Sequence, residues 1–172
     1  MSGAPQEIER VYLLSGLPEL PPGAEPWRIE QGYLPEHELD APDCLEGRVR
    51  RKTAPTGKTS YVHTIKRGQG LVREETERAI DAAEFEAAWG RTLGRRISKT
   101  RHRVREGELV WEVDVFDELP LVMAEVELPY AEYPVELPAW LAPHVVRELT
   151  EDSRYRNFAL ATEGLPPDHP AG

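Results

Sequence analysis

The sequence predicts an α+β fold built on a large antiparallel sheet, and three observations carry that prediction. Apolar and polar residues alternate with period two through most of the chain, candidate helices are few, and Pro-rich stretches fall where a sheet would turn or end. Strands are expected near 7–14, 28–34, 45–53, 59–67, 70–78, 95–105, 109–117 and 121–128. The first helix is expected in "DAAEFEAAWG", where Asp81 is an N-cap, Glu84 completes a capping box, Phe85, Ala88 and Trp89 share a face, and Gly90 is a stop signal. A second helix is expected in "DSRYRNFALA" and a short turn near "ELPAWLAP". "LPELPPGAEP" at 17–26 reads as a loop, and no internal repeat is present. At 172 residues the chain is long enough for one domain with a real core, expected over 1–163, with "GLPPDHPAG" at 164–172 a disordered Pro-rich tail.

Composition narrows the function classes. Twenty-one basic residues stand against 31 acidic ones, a net charge of −10, which repels nucleic acid and anionic membranes unless the basic side chains are concentrated in one place. A lone Cys44 excludes an internal disulfide framework. The start "MSGAPQ" has no signal-peptide character and no apolar run approaches a membrane span, so a soluble cytoplasmic protein is expected, with neither nucleic acid nor membrane as partner.

Alternation says more than fold class. In "QEIERVYLL" Glu7, Glu9, Val11 and Leu13 share one face, opposite Ile8, Tyr12 and Leu14. "LVWEVDVF" places Glu112 and Asp114 behind an apolar face of Leu109, Trp111, Val113 and Val115, and "LVMAEVEL" places Glu125 and Glu127 behind Val122, Ala124, Val126 and Leu128. Other strands carry the opposite sign: Arg48, Arg50 and Lys52 in "GRVRRKT", Lys66 in "SYVHTIK", and Lys99, Arg101 and Arg103 in "SKTRHRV". "LVREETERAI" aligns Arg73, Glu75 and Glu77. Two readings stand at this point. The rows are the solvated face of an ordinary sheet, or the strands close into a barrel whose polar rows point into a lumen while the apolar faces pack outward against helices. Like charges two residues apart on several strands oppose each other, which favours the second reading. Such a lumen suits a polyanion, with carboxylates binding hard divalent cations and Arg and Lys taking phosphate charge directly.

Nine segments, "EIER", "IEQGYL", "GRVR", "HTIKRG", "VREETERAI", "ISKTR", "WEVDVF", "AEVEL" and "ELTEDSRYRNFALA", resemble in order and spacing the CYTH domain of the triphosphate tunnel metalloenzymes, from Glu7 to about Ala161. The resemblance implies an eight-stranded antiparallel β-barrel tunnel with a few flanking helices, a triphosphate bound within it, and Mg²⁺ or Mn²⁺ as cofactor. It assigns the metal to Glu7, Glu9, Glu75, Glu77, Asp114, Glu125 and Glu127, and the phosphate chain to Arg48, Arg50, Lys66, Arg73, Lys99 and Arg101. Lys66, Lys99 and Arg101 are the expected catalytic positions. The implied activity is metal-dependent hydrolysis of a triphosphate, with inorganic tripolyphosphate the expected substrate and a homodimer a compatible assembly. Thiamine triphosphatase and class IV adenylyl cyclase use related tunnels, yet no segment here reads as a thiamine or adenine pocket. The family opens with Glu-x-Glu-x-Lys, whereas this chain has Val11 at the fifth position. That departure keeps a second reading open, a binding module that grips triphosphate or polyphosphate chain ends without turnover; Lys58 and Lys99 are alternative sources of the missing charge.

Other signals are weaker. "TAPTGKTS" imitates the end of a P-loop but lacks the first glycine and the strand-to-helix context, and reads as a hairpin turn. His37, His63, His102, His144 and His169 are scattered without metal-ligand spacing, and Cys44 has no evident base. Arg154, Tyr155 and Asn157 on the last helix are candidates to reach the tunnel mouth, with simple packing the alternative. Trp27 and Trp140 are candidates to stack on an aromatic ligand, with a core role the commoner use of tryptophan.

Overall fold

The computed structural model describes residues 6–35, 46–67 and 72–170. Nine strands form one antiparallel sheet: β1 (Gln6–Leu14), β2 (Glu25–Tyr33), β3 (Glu46–Thr53), β4 (Thr59–Arg67), β5 (Val72–Ile80), β6 (Arg96–Glu106), β7 (Leu109–Phe116), β8 (Val122–Glu127) and β9 (Val145–Glu148). The helices are α1 (Ala82–Trp89) and α2 (Asn157–Glu163). The strand order is β5-β4-β3-β2-β6-β7-β8-β1-β9, and β1 also pairs with β5. The expected class and antiparallel sheet are therefore present, with one strand more than the eight anticipated.

The extra strand, β9, spans only four residues, too few for an alternating pattern to stand out in the sequence. It pairs with β1 at Tyr12, Leu13 and Leu14, while β5 meets β1 at Gln6, Glu7 and Ile8. Between these pairings, Leu149 N–H donates to the Val11 carbonyl at 2.7 Å and Val11 N–H donates to Thr150 Oγ1 at 3.1 Å. These two bonds satisfy the Val11 backbone between the two strand pairings.

Alternation sorts the side chains as the sequence indicated. Tyr12, Leu14, Trp111, Val113, Ala124, Val126 and Leu128 form one apolar cluster with Leu141, and Tyr12 and Trp111 meet at 5.9 Å between ring centroids. The cover over this cluster is not a helix. Tyr133, Val135, Leu137 and Trp140 close it from a segment punctuated by Pro129, Pro134, Pro138 and Pro143. Proline removes backbone donors and clashes within a helix interior, so this segment makes only a 3₁₀ turn, Ala142–His144.

The helices cover other places. Asp81 caps α1 by accepting from Glu84 N–H at 2.8 Å, and the Glu84 side chain accepts in return from Asp81 N–H at 3.3 Å, the capping box the sequence predicts. Phe85 and Ala88 of α1 pack on Leu34 and Val49, and Phe85 stacks on Trp89 at 5.2 Å. Helix α2 brings Leu160 onto Leu13, Ile97, Phe116 and Met123. These residues alternate with the first cluster, so α2 sits on the face that also bears the charged rows.

Gly32 of β2 is fixed by close approach. A Cβ there would lie 2.5 Å from Thr92 Oγ1 and 2.6 Å from Thr92 Cβ. Thr92 has little room to yield, since its hydroxyl donates to the Trp89 carbonyl at 2.7 Å and accepts from Arg96 Nε at 2.9 Å. Gly32→Ala is expected to lower the unfolding free energy by about 1–3 kcal/mol, the usual range for overpacking. Urea denaturation checks this, and an unchanged midpoint would show that Thr92 moves aside freely.

Candidate functional site

The site is built on β6, whose Lys99, Arg101 and Arg103 point to one face of the sheet. Cross-strand register sets their neighbours. On one side Ile29, Trp27 and Glu25 of β2 lie opposite these three residues, and on the other Phe116, Asp114 and Glu112 of β7 do so. Strand β3 adds Arg50 opposite Gln31 and Lys52 opposite Ile29. Beyond β7, Glu112 lies opposite Glu125 of β8, Glu125 opposite Val11 of β1, and Glu127 opposite Glu9.

Arg101 is the centre of this array. Its guanidinium donates to both Asp114 oxygens, from Nε at 2.8 Å and Nη2 at 2.9 Å, and Nη2 also donates to Glu125. A third carboxylate, Glu112, lies 3.5 Å from Nη1. Burial alone would lower the Arg101 pKa, but Asp114 and Glu125 outweigh it and hold the guanidinium firmly charged. Burial would likewise raise Asp114, and Arg101 followed by Lys99 pulls its carboxyl well below the usual range. Glu125 is also lowered, with Arg101 overcoming its burial. Glu112 goes the other way: burial raises it, and Arg101 offsets this only in part.

Lys99 is fully buried. Its ammonium lies 2.8 Å from Asp114 Oδ2, donates to Asn157 Oδ1 at 3.1 Å, and sits 5.2 Å from the centre of the Phe116 ring. Loss of hydration lowers its pKa to about 8 even though Asp114 acts in the opposite sense. On β3, Arg48 is buried with Nη2 4.0 Å from Glu75, and Arg50 Nε donates to Gln31 Oε1 at 2.9 Å. Gln31 is held in place by its own donation to Tyr33 Oη at 2.8 Å. Burial, with Arg48 and Arg101 close by, lowers the Arg50 pKa to about 9. Arg48, Arg50, Lys99 and Arg101 thus stand together on one face, interleaved with the carboxylates.

Of the residues singled out in the sequence, Arg48, Arg50, Lys99, Arg101, Asp114 and Glu125 come together in this array. Glu9 joins them through a hydrogen bond to Glu125. Glu75 reaches Arg48, while Glu77 and Glu127 are exposed on the same strands' faces. Glu7 is placed by its pairing with Arg73, and Lys66 by its pairing with Glu75. The side chains of Lys66 and Arg73 lie outside the described residues, as do His37 and Cys44 altogether. Asn157 reaches the site through Lys99, but Arg154 pairs with Asp152 and Asp168 instead, and Tyr155 joins the apolar cluster and bonds His169. Lys58 lies in the exposed β3–β4 turn, so of the two alternative lysines it is Lys99 that the structure brings into this array. The sequence assigns neither Glu112 nor Gln31 to the site, and offers Trp27 only as a candidate to stack on an aromatic ligand. Glu112 carried a usable signal, the same alternation that singled out Asp114, whereas Gln31 and Trp27 are neutral and stood out in no charged row.

Among the described residues, no group of three or more His, Cys, Asp or Glu is gathered so as to hold a metal ion. The physical reason is Arg101, which draws Asp114, Glu112 and Glu125 onto a guanidinium rather than onto one another. In kind, the donors still fit a hard divalent cation: they are carboxylate oxygens, and two pairs, Glu9 with Glu127 and Glu112 with Glu125, face each other across adjacent strands.

No protein-family model matches the chain. The sequence is 38% identical over 161 residues to the inorganic triphosphatase of Nitrosomonas europaea (strain ATCC 19718), covering 90% of this chain and 96% of that protein. The crystal structure of the inorganic triphosphatase NE1496 superposes with a TM-score of 0.61 at 33% identity, covering 93% of this chain and 97% of the other. The PH1819 protein from Pyrococcus horikoshii OT3, 17% identical with a TM-score of 0.52, shares the fold over 73% of this chain and 80% of its own. The chain belongs to the family its motifs resemble, the CYTH-type triphosphate tunnel proteins.

Lys99 links the site to stability. Free lysine titrates near 10.4, so between about pH 8 and that value the folded state binds fewer protons than the unfolded chain, and the unfolding free energy rises with pH. Below pH 8 the penalty for a buried ammonium is fully present, on the order of 3 kcal/mol for a shift of this size. Lys99→Met is therefore expected to be relatively more stable near neutral pH and to flatten the rise above pH 8. Denaturation midpoints measured from pH 7 to 10.5 check this, and parallel profiles for the two proteins would refute it.

Proposed function

We propose that this protein hydrolyses inorganic tripolyphosphate in a reaction that depends on a divalent cation, Mg²⁺ or Mn²⁺. The observation that carries the reading is the gathering of three buried cations, Arg48, Lys99 and Arg101, with the half-buried Arg50 on one face of a chain whose net charge is −10. Confining like charges out of water is unfavourable unless a ligand of opposite charge relieves it, and a short phosphate chain has that charge and shape. The relationship to an inorganic triphosphatase over nearly the whole chain supports the same substrate. The short β1–β5 pairing supports reading β1 to β8 as a tunnel around this face.

In this reading Arg48, Arg50 and Arg101 bind nonbridging phosphate oxygens, with Lys66 and Arg73 joining them from β4 and β5. Their fixed donors stabilise the negative charge that shifts toward the leaving phosphate. Lys99 lies beside Asp114 with its pKa lowered to about 8, so its neutral amine, present at mildly alkaline pH, is suited to accept the proton of the attacking water and become the ammonium. Glu7, Glu9, Glu75, Glu77, Asp114, Glu125 and Glu127 are the residues that would hold a divalent cation, which when bound supplies further positive charge at the phosphate oxygens.

Val11 supports the second reading, a module that binds triphosphate without turnover. Its side chain packs on the apolar cluster of Leu13, Phe116 and Met123 and contributes no charge where the family motif has lysine. Phosphate release from tripolyphosphate with Mg²⁺ or Mn²⁺, run beside calorimetric binding, separates the two. Hydrolysis by the wild type is expected, with Glu125→Gln slower by about a hundredfold and needing more metal to saturate. Tight binding with no phosphate release would establish the binding module, and neither signal would overturn both. A separate consequence concerns stability: saturating tripolyphosphate is expected to raise the thermal midpoint by several degrees, and Arg50→Ala to remove most of that rise. Equal shifts in the two proteins would remove Arg50 from the ligand's contacts.

A further inference from the structure

The indole of Trp27 occupies an unusual position for tryptophan. Strand register places it directly opposite Arg101, and its Nε1 is shut off from solvent without a hydrogen-bond partner among the described residues. Buried tryptophan N–H groups ordinarily find an acceptor. Trp27 lines a cavity of about 220 Å³ together with Arg50, Lys52, Arg101, Arg103 and Glu112. A second buried donor on this cavity, Arg103 Nε, also makes no hydrogen bond among the described residues; Glu112 Oε2 lies 3.5 Å away as an ion pair.

The wall therefore has too many donors for its acceptors. Arg101 already engages Asp114 and Glu125, Glu112 is contacted by both Arg101 and Arg103, and Arg50 Nε is committed to Gln31. Burial first, and then the nearby Arg50, lower the Lys52 pKa against the opposing pull of Glu77 and Glu112. An acceptor-rich anion between these residues would satisfy the indole and the guanidinium together.

We propose that Trp27 is a specificity-determining residue whose indole N–H donates to a nonbridging oxygen of the phosphate unit held between Arg50, Lys52 and Arg103. The inference rests on the phosphate-chain reading above and adds to it a neutral donor. A neutral N–H contributes direction without adding to the repulsion among the four cations. It thereby favours a correctly placed oxygen over a generic anion.

The test compares wild type, Trp27→Phe and Trp27→His by calorimetric titration with tripolyphosphate in the presence of Mg²⁺, with turnover and thermal midpoints measured on the same samples. Phenylalanine keeps an aromatic wall but has no donor, so its Kd is expected to rise about tenfold, the effect of losing a hydrogen bond to a charged group. The thermal midpoint of the free protein should not fall through loss of a hydrogen bond, because the donor removed has no partner among the described residues. Histidine restores an N–H and is expected to bind more tightly than phenylalanine. The ligand-induced change in tryptophan fluorescence should also shrink in Trp27→Phe, although Trp89, Trp111 and Trp140 remain. Binding by Trp27→Phe equal to wild type, or by Trp27→His no better than by Trp27→Phe, would overturn the proposal. Absence of binding and turnover in the wild type would instead remove the phosphate-chain reading, so the two failures are distinguishable.

Discussion

The pairing of Arg101 with Asp114 organises the charged face. Both residues are buried, lie opposite each other in the β6–β7 register, and meet through two parallel hydrogen bonds. A buried ion pair gives up hydration on both sides, and only good geometry with further partners recovers it. The planar fork of arginine provides that geometry, and Glu125, Glu112 and Lys99 supply the further partners. Position 101 thus holds side chains of three strands in one electrostatic unit. Lysine could not do the same, since its ammonium is a point charge without the fork.

Around this pair the polar face divides into a charged zone and an apolar one, and the division runs across strands. On β1 Glu9 gives way to Val11 and Leu13, on β8 Glu125 to Met123, on β7 Asp114 to Phe116, and on β6 Lys99 to Ile97. Helix α2 closes over the apolar zone with Leu160, and its Asn157 reaches Lys99 at the boundary. Lys99 is accordingly dry on one side and paired on the other, which explains an ammonium lowered to about 8 beside a carboxylate. Packing of α2 and electrostatics of the site are therefore coupled through one side chain.

The net charge of −10 and a cationic site are compatible because they act at different ranges. At physiological ionic strength surface charges are screened beyond about 8 Å, whereas buried cations in a low-dielectric setting are screened far less. The net charge therefore acts weakly at a distance, while the array's own cations dominate the field within it. Burial is the main reason Arg50 and Lys52 are lowered, with neighbouring cations adding to it, whereas at Arg101 the carboxylates of Asp114 and Glu125 outweigh burial and raise it.

Much of this was legible in the chain itself. Period-two alternation identified the strands, separated Glu112 and Asp114 from Trp111 and Val113, and placed like charges on common faces, because side-chain direction in a strand is a local property of the backbone. The capping box of α1 was readable for the same reason, being complete within four residues. What the tertiary structure decided is everything that depends on register and cover. Nothing local to Arg101 says that Asp114 is opposite it, that Trp27 lies on its other side, or that α2 seats Asn157 on Lys99. Nor does a short stretch such as Val145–Glu148 announce that it will pair with β1, or a Pro-rich segment that it will replace a helix over Trp111. The sequence determined which residues could share a face and which charges they carry; the fold alone decided which of them would be forced together out of water, and hence which of their charges are perturbed.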